Sequence, residues 1–162
     1  MKNAATIPKR ILFLHPNFPA QFRHLAAALA QDSNYQIVFG TNRQEGTIPG
    51  VFKAIYQPAR QAAPQTHHYV RNLENAVITG QSVYRMAENL KTQGFIPDII
   101  YGHSGWGPTL FMKEIFPEAE LLCFFEWFYH GRGSDADFLH REIGSKGEIW
   151  TPRLFSVRFA RR

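Results

Sequence analysis

Four consecutive apolar residues, Ile11-Leu12-Phe13-Leu14, run into a proline-broken loop and then into an amphipathic segment. An unbroken apolar run of this length is what a strand buried on both faces requires. Pro16 and Pro19, with Asn17 and Phe18 between them, end the run. Beyond Pro19, the residues Phe22, Leu25, Ala26 and Leu29 recur at the spacing of one helix face. Strand, tight loop and covering helix form the opening unit of an open α/β sheet. Ligands of such sheets sit beyond the carboxyl ends of the strands. Residues 15–21 are therefore the first place where function is expected.

The rest of the chain repeats this alternation. Residues 35–40 read as a second strand, and the polar, glycine-containing residues 41–50 as a loop. Residues 51–56 read as a third strand near an edge, with Lys53 facing water. Residues 57–68 are an irregular connection. Val70, Leu73, Val77, Tyr84, Ala87 and Leu90 then predict a long helix over residues 70–93. At ~1.5 Å per residue it spans the sheet and protrudes. Gly80 marks a bend or a close approach to a neighbour, and Gly94 stops the helix. A fourth strand (97–102), a helix (109–115) and a fifth strand (121–125) follow. Right-handed crossovers place the first and fourth strands side by side, giving the order 3-2-1-4-5. The expected architecture is α/β, a Rossmann-like three-layer sandwich with a central parallel sheet of about five strands. The switch point then lies between the strand tips that carry His15 and His103.

A length of 162 residues suits one domain, expected over residues 1–138, with a divergent tail at 139–162. No apolar segment reaches the roughly 18 residues of a membrane span. The first ten residues lack the apolar region of a secretory signal, so a cytoplasmic location is expected. The net charge of +5 is compatible with anionic lipid or a phosphorylated ligand. No basic stripe or recognised motif supports nucleic acid. Cys123 is the sole cysteine, which excludes an internal disulfide, and its apolar neighbours predict a core position. Fourteen Phe residues imply either a phenylalanine-rich core or an aromatic binding face.

Three loops are expected to converge on the switch point: residues 15–21, 103–107 and 126–130. His15 is either bonded to a loop carbonyl or a polar contact to a ligand. Asn17 either forms an Asx turn or touches the ligand. This loop has no glycine, and G-x-G-x-x-G is absent, so dinucleotide binding in the usual manner is not expected. In His103-Ser104-Gly105-Trp106-Gly107 the glycines either admit a ligand to the backbone or serve a tight turn. His103 is suited to donate to a sugar hydroxyl or a phosphate oxygen, and Trp106 to stack on a sugar ring or pack. Gly102-His103-Ser104 departs from the nucleophile elbow, because Trp106 occupies its closing glycine position. Asp135, Asp137 and His140 follow too soon for a hydrolase sheet, which disfavours a serine hydrolase. Glu126, in an aromatic cluster ending at Tyr129, binds hydroxyls, acts as a base or pairs with Arg132. His67-His68 is a weak metal signal, and no metal is expected.

Together, ILFLHPNFPAQFRHLAAALA and GQSVYRMAENLKTQGFIPDIIYGHSGWGPTLFMKEIFPEAELLCFFEWFYHGRGSDADF resemble the N-terminal domain of bacterial family-4 glycosyltransferases, over residues 10–138. The resemblance implies a GT-B architecture of two Rossmann-like domains facing across a cleft. The N-terminal domain receives the acceptor, and the C-terminal domain binds the nucleotide-sugar, a co-substrate rather than a cofactor. Family members are typically retaining and metal-independent. His103 matches the histidine set against the reacting sugar and is assigned as catalytic. His15, Asn17, Phe18, Gln21, Ser104, Gly105, Trp106, Glu126 and Tyr129 are assigned to substrate binding. The loop at residues 15–21 departs from the glycine-rich form of the wider family.

The resemblance does not include a donor-binding domain in this sequence. The expectation is an acceptor-side half, inactive alone, completed by a separate donor-binding chain or by self-association through the cleft face. A sugar or glycolipid is the expected acceptor, with the inner membrane face as an accessory surface. The alternative is a non-catalytic binding or scaffold domain that docks a partner through that same face. Residues 139–162 read as an amphipathic segment or an unselected tail.

Overall fold

The computed structural model describes residues 7–126. Tyr129, Arg132, Asp135, Asp137, His140 and the 139–162 segment lie outside the described residues. The strands are β1 (Lys9–Leu14), β2 (Tyr35–Thr41), β3 (Val51–Ile55), β4 (Ile99–His103) and β5 (Glu120–Phe124). They form one parallel sheet in the order β3-β2-β1-β4-β5. Strand β1 is central, pairing Leu14 with Gly40 on one side and with Gly102 on the other. The helices are α1 (Arg23–Leu29), entered through a 3-10 turn at Ala20–Phe22, then α2 (His68–Thr92) and the single turn α3 (Met112–Ile115).

Alternation along the strands feeds two cores. Leu12, Leu14, Val38 and Ile100 pack with Val83, Met86, Ala87 and Leu90 of α2 and with Met112 and Ile115 of α3. Ile11, Phe13, Ile37 and Phe39 point the other way, onto Phe22 and Ala26. Helices thus cover both faces, as the parallel sheet demands. The phenylalanines supply an aromatic layer in which Phe13 lies 5.9 Å from Phe39 and 5.5 Å from Phe22. Among the described residues Phe13, Phe22, Phe39, Phe95 and Phe116 are buried, whereas Phe52 and Phe125 are exposed.

The buried stripe of α2 runs through Ala76, Gly80, Val83, Ala87 and Leu90, with Ser82 and Met86 beside it. Val70 and Leu73, expected on that stripe, are exposed. The true stripe is rich in small residues because a loop lies directly against it. A Cβ on Gly80 would stand 2.9 Å from Phe111 and 3.0 Å from the Gly107 carbonyl, so the close approach is the correct alternative. The helix ends in a Schellman arrangement: Phe95 N–H donates to Leu90 O, and Gly94 N–H donates to Lys91 O. Gly94 takes φ +85°.

Other expectations are corrected. Leu25 is exposed: the 3-10 turn and α1 cover the aromatic layer with Phe22 and Ala26, helped by the partly buried Leu29 and Ala30. Strand β3 is an edge, as expected, and Lys53 is half-buried rather than free in water. Its ammonium donates to the carbonyls of Gln44, Glu45 and Gly46 and lies 4.1 Å over the Phe18 ring. The 109–115 helix shrinks to α3. Cys123 is exposed: β5 is the other edge, and the one-turn α3 cluster takes up Leu121 without reaching it. Among the described residues no helix is long and apolar enough to cross a membrane.

Candidate functional site

The strand order fixes which side chains can meet. At the carboxyl ends, His15 follows β1 and His103 ends β4, and these strands are hydrogen-bonded neighbours. Glu126 lies just past β5, and Arg43 just past β2.

His15 is 2% exposed. Its backbone N–H donates to Gly40 O, and Pro16 O accepts from Asn42 N–H and the Thr41 hydroxyl, which stitches the loop to β2. The ring Nδ1 lies 2.9 Å from Asn17 N and 3.0 Å from Asn17 O. A neutral ring that accepts from that N–H carries its proton on Nε2; a ring with its proton on Nδ1 donates to that carbonyl. Burial, then the neighbouring His103, hold the His15 pKa below its usual value, against smaller upward effects of Asn17 and Glu126. The neutral ring is therefore favoured, and where its Nδ1 accepts from Asn17 N–H the proton sits on Nε2.

His103 is 4% exposed. Its Nδ1 accepts from Gly105 N–H at 3.0 Å, which assigns its proton to Nε2 in the neutral ring. A Cβ on Gly105 would stand 2.9 Å from that ring, so this glycine makes room for the imidazole. The two imidazoles lie 5.1 Å apart, edge to face. Neither Nε2 has a hydrogen-bond partner, although both are buried. Buried donors without partners are uncommon and costly, and they mark places where a ligand is accommodated.

Trp106 stacks on His103 at 4.4 Å and 23°, meets His15 at 5.8 Å, and stays 50% exposed. Phe22 and Phe124 close the far sides of the pair. Glu126 Oε2 stands 3.4 Å from His103 Nε2, inside ion-pair range but without hydrogen-bond alignment. Its other oxygen accepts from Gln21 Nε2 at 2.7 Å, which joins the first loop to the tip of β5. That hydrogen bond, then His103, hold the Glu126 carboxyl below the usual range.

The remaining sequence-derived residues are placed as follows. Asn17 Oδ1 accepts from Arg43 Nε at 3.2 Å. Phe18 packs on Phe39 at 4.9 Å beneath Lys53, turned toward β2 and β3 rather than the histidine pair. Ser104 donates its hydroxyl to Phe124 O, and no imidazole bonds to it. Gly107, at φ +89°, lies under Ala76 of α2, so it serves packing. Segment 104–111 is a turn, so these glycines do not open a helix. His67 and His68 stack on each other, and His67 Nδ1 accepts from Tyr69 N–H at the start of α2. Among the described residues no group of three or more His, Cys, Asp or Glu is arranged to hold a metal ion. Arg43 was not singled out from the sequence; its one signal is its place just past an apolar strand.

Chemically, these strand tips bring together two buried imidazoles, the exposed Glu126 carboxylate and the half-exposed indole of Trp106. A hydroxyl group can accept from an imidazole N–H and donate to the carboxylate. Compared with known proteins, the chain is matched over residues 33–154 by the family model described as the glycosyl transferase family 4 group. The matched region holds Arg43, His103, Trp106 and Glu126, while His15 precedes it. No curated protein matches the chain significantly.

Proposed function

From the premise that this chain belongs to the glycosyl transferase family 4 group, we propose that it forms the acceptor-side wall of a GT-B sugar-transfer cleft. The observation that carries this reading is the pair of buried imidazoles against Trp106, neither Nε2 hydrogen-bonded and one of them within ion-pair range of Glu126. In the reaction, the acceptor oxygen bonds to the anomeric carbon of a nucleotide-sugar as the carbon–diphosphate bond breaks. The hydroxyl proton passes to the departing diphosphate, and configuration is retained. His103 donates from Nε2 to an oxygen of the reacting sugar, held in that tautomer by Gly105. His15 supplies the second donor, Glu126 accepts from a hydroxyl, and the Trp106 ring packs against the sugar's C–H face. Preorganised donors of this kind stabilise charge without reorganisation.

A donor-binding lobe must stand across these strand tips, because transfer depends on holding both substrates in one geometry. Its nucleotide-sugar enters as co-substrate, and the acceptor is a sugar or glycolipid. The working location is the cytoplasm, at or near the membrane that holds a lipid-linked acceptor.

The test is sugar binding followed by Trp fluorescence and by imidazole resonances. Sugars are expected to shift His103 and Trp106 signals. H103A is expected to weaken binding about tenfold, the worth of one buried hydrogen bond of ~1–1.5 kcal/mol. Resonances of His103 that ignore every sugar offered, in the presence of a fold intact by circular dichroism, would overturn the reading.

A further inference from the structure

The tips of four adjacent strands carry a graded row of side chains: Arg43 after β2, His15 after β1, His103 on β4 and Glu126 after β5. One end carries a guanidinium, the middle two imidazoles and the other end a carboxylate. Arg43 differs from the other described arginines in how it is held. Arg10, Arg60 and Arg71 spend terminal nitrogens on protein oxygens. Arg23 and Arg85 have no side-chain hydrogen bond among the described residues. Arg43 alone is gripped through Nε, by Asn17 Oδ1, which leaves both terminal nitrogens free. Among the described residues no carboxylate lies in ion-pair range of it.

The grip is itself anchored. Arg43 N–H donates to the Thr41 hydroxyl, that hydroxyl donates to Pro16 O, and the Asn17 backbone is held by the His15 ring. A guanidinium fixed through Nε presents its outer fork of N–H donors to solvent, the arrangement that takes a planar oxyanion bidentately.

We propose that Arg43 is a specificity-determining residue that binds an oxyanion, a phosphate or carboxylate, carried by the acceptor. The inference rests on the acceptor-side reading above and names the acceptor class: an anionic sugar rather than a neutral one. Strand tips stand about 4.8 Å apart, so Arg43 and His103 are separated by roughly 10 Å. One hexose bearing a phosphate or carboxylate spans that gap, with its hydroxyl end at His103 and Glu126 and its charged end at Arg43. The reverse orientation sets like charges together at Glu126. The same oxyanion chemistry exists in the diphosphate of a nucleotide-sugar, so the experiment separates the two sources.

The test is a titration of the 15N-labelled chain followed at the Arg43 Nε–H and Asn17 side-chain resonances, together with His103 and Trp106. The probes are inorganic phosphate, glucose, glucose 6-phosphate, glucuronate and UDP. Phosphate is expected to shift Arg43 and Asn17 and to leave Arg85 still. Glucose 6-phosphate or glucuronate is expected to bind at least fivefold more tightly than glucose. R43Q is expected to erase that difference while the glucose response of His103 persists, and R85Q to change nothing. Equal phosphate shifts at Arg43, Arg23 and Arg85 would overturn the proposal. So would an R43Q variant that keeps the preference for anionic sugars, or one that weakens UDP alone. Phosphate bound at Arg43 with no response of His103 or Trp106 to any sugar would overturn the underlying acceptor reading, leaving a bare anion site.

Discussion

At the scale of single residues, the site is a matter of tautomers and of partners withheld. Two backbone N–H groups, of Asn17 and Gly105, each meet an imidazole Nδ1 and so push the remaining proton onto Nε2. This yields a prediction for His15. Its pKa is lowered in the fold, chiefly by burial. As pH falls below about 6.5, the unfolded chain takes up a proton at His15 that the folded chain refuses. Stability at this position is therefore complete above the unfolded value and declines as acid is added through the window beneath it. His103, Glu126 and the Asn17 carbonyl are the groups that face it. Glu126 adds a separate loss at lower pH, since its own pKa is depressed and its contribution disappears as it protonates. Urea unfolding between pH 5 and 7.5 is expected to show a slope that H15Q removes. An imidazole midpoint for His15 at or above 6.5 would contradict the burial argument. The sequence revealed both histidines as candidates, because each ends an apolar run. It could not reveal their tautomers, since the N–H groups that set them act only once each loop is closed.

At the scale of elements, three glycines separate local conformation from packing. Gly94 closes α2 at φ +85° with nothing within 4 Å of a built Cβ, so G94A is expected to cost only the left-handed penalty, about 1 kcal/mol. Gly107 combines φ +89° with a Cβ position 2.1 Å from Ala76 O. G107A must move α2 away from the loop that carries His103 and Trp106, and a loss of more than ~3 kcal/mol is expected. Gly80 sits between these limits. Alanine there gains about 1 kcal/mol of helix propensity but meets Phe111 and Gly107 O, an overpacking cost of about 1–3 kcal/mol. G80A is therefore expected to be neutral to mildly destabilising. Thermal melts of the three variants check the ranking, and G107A milder than G94A would refute it. The exposed Val70 and Leu73 belong to the same lesson. Hydrophobicity drew the α2 stripe through them, whereas contact with a loop backbone selected the small residues Ala76 and Gly80 instead.

At the scale of the whole molecule, the described residues form one sheet with helices on both faces and a carboxyl edge that carries the candidate site. On the proposed reading that edge orients the acceptor, and a second lobe holds the donor. The chain by itself is expected to transfer no sugar from radiolabelled UDP-glucose to glucose or glucose 6-phosphate. Turnover above background by the purified chain would refute the need for an opposing lobe. The charge on this edge is also a property of the whole fold. Arg43 and Glu126 are far apart in sequence and become the two ends of one row only through the strand order.

The sequence by itself determined the parallel α/β sheet, its strand order and the adjacency of the two histidines. Apolar runs, proline breaks and the handedness of crossovers are local or topological constraints that need no knowledge of packing. The tertiary structure alone decided that Phe18 turns away from the pair, that Lys53 clasps a loop, that Cys123 lies exposed, and that Arg43 is oriented by Asn17. Those outcomes depend on which atoms compete for the same small space and the same hydrogen bonds, and that competition exists only after the chain has closed on itself.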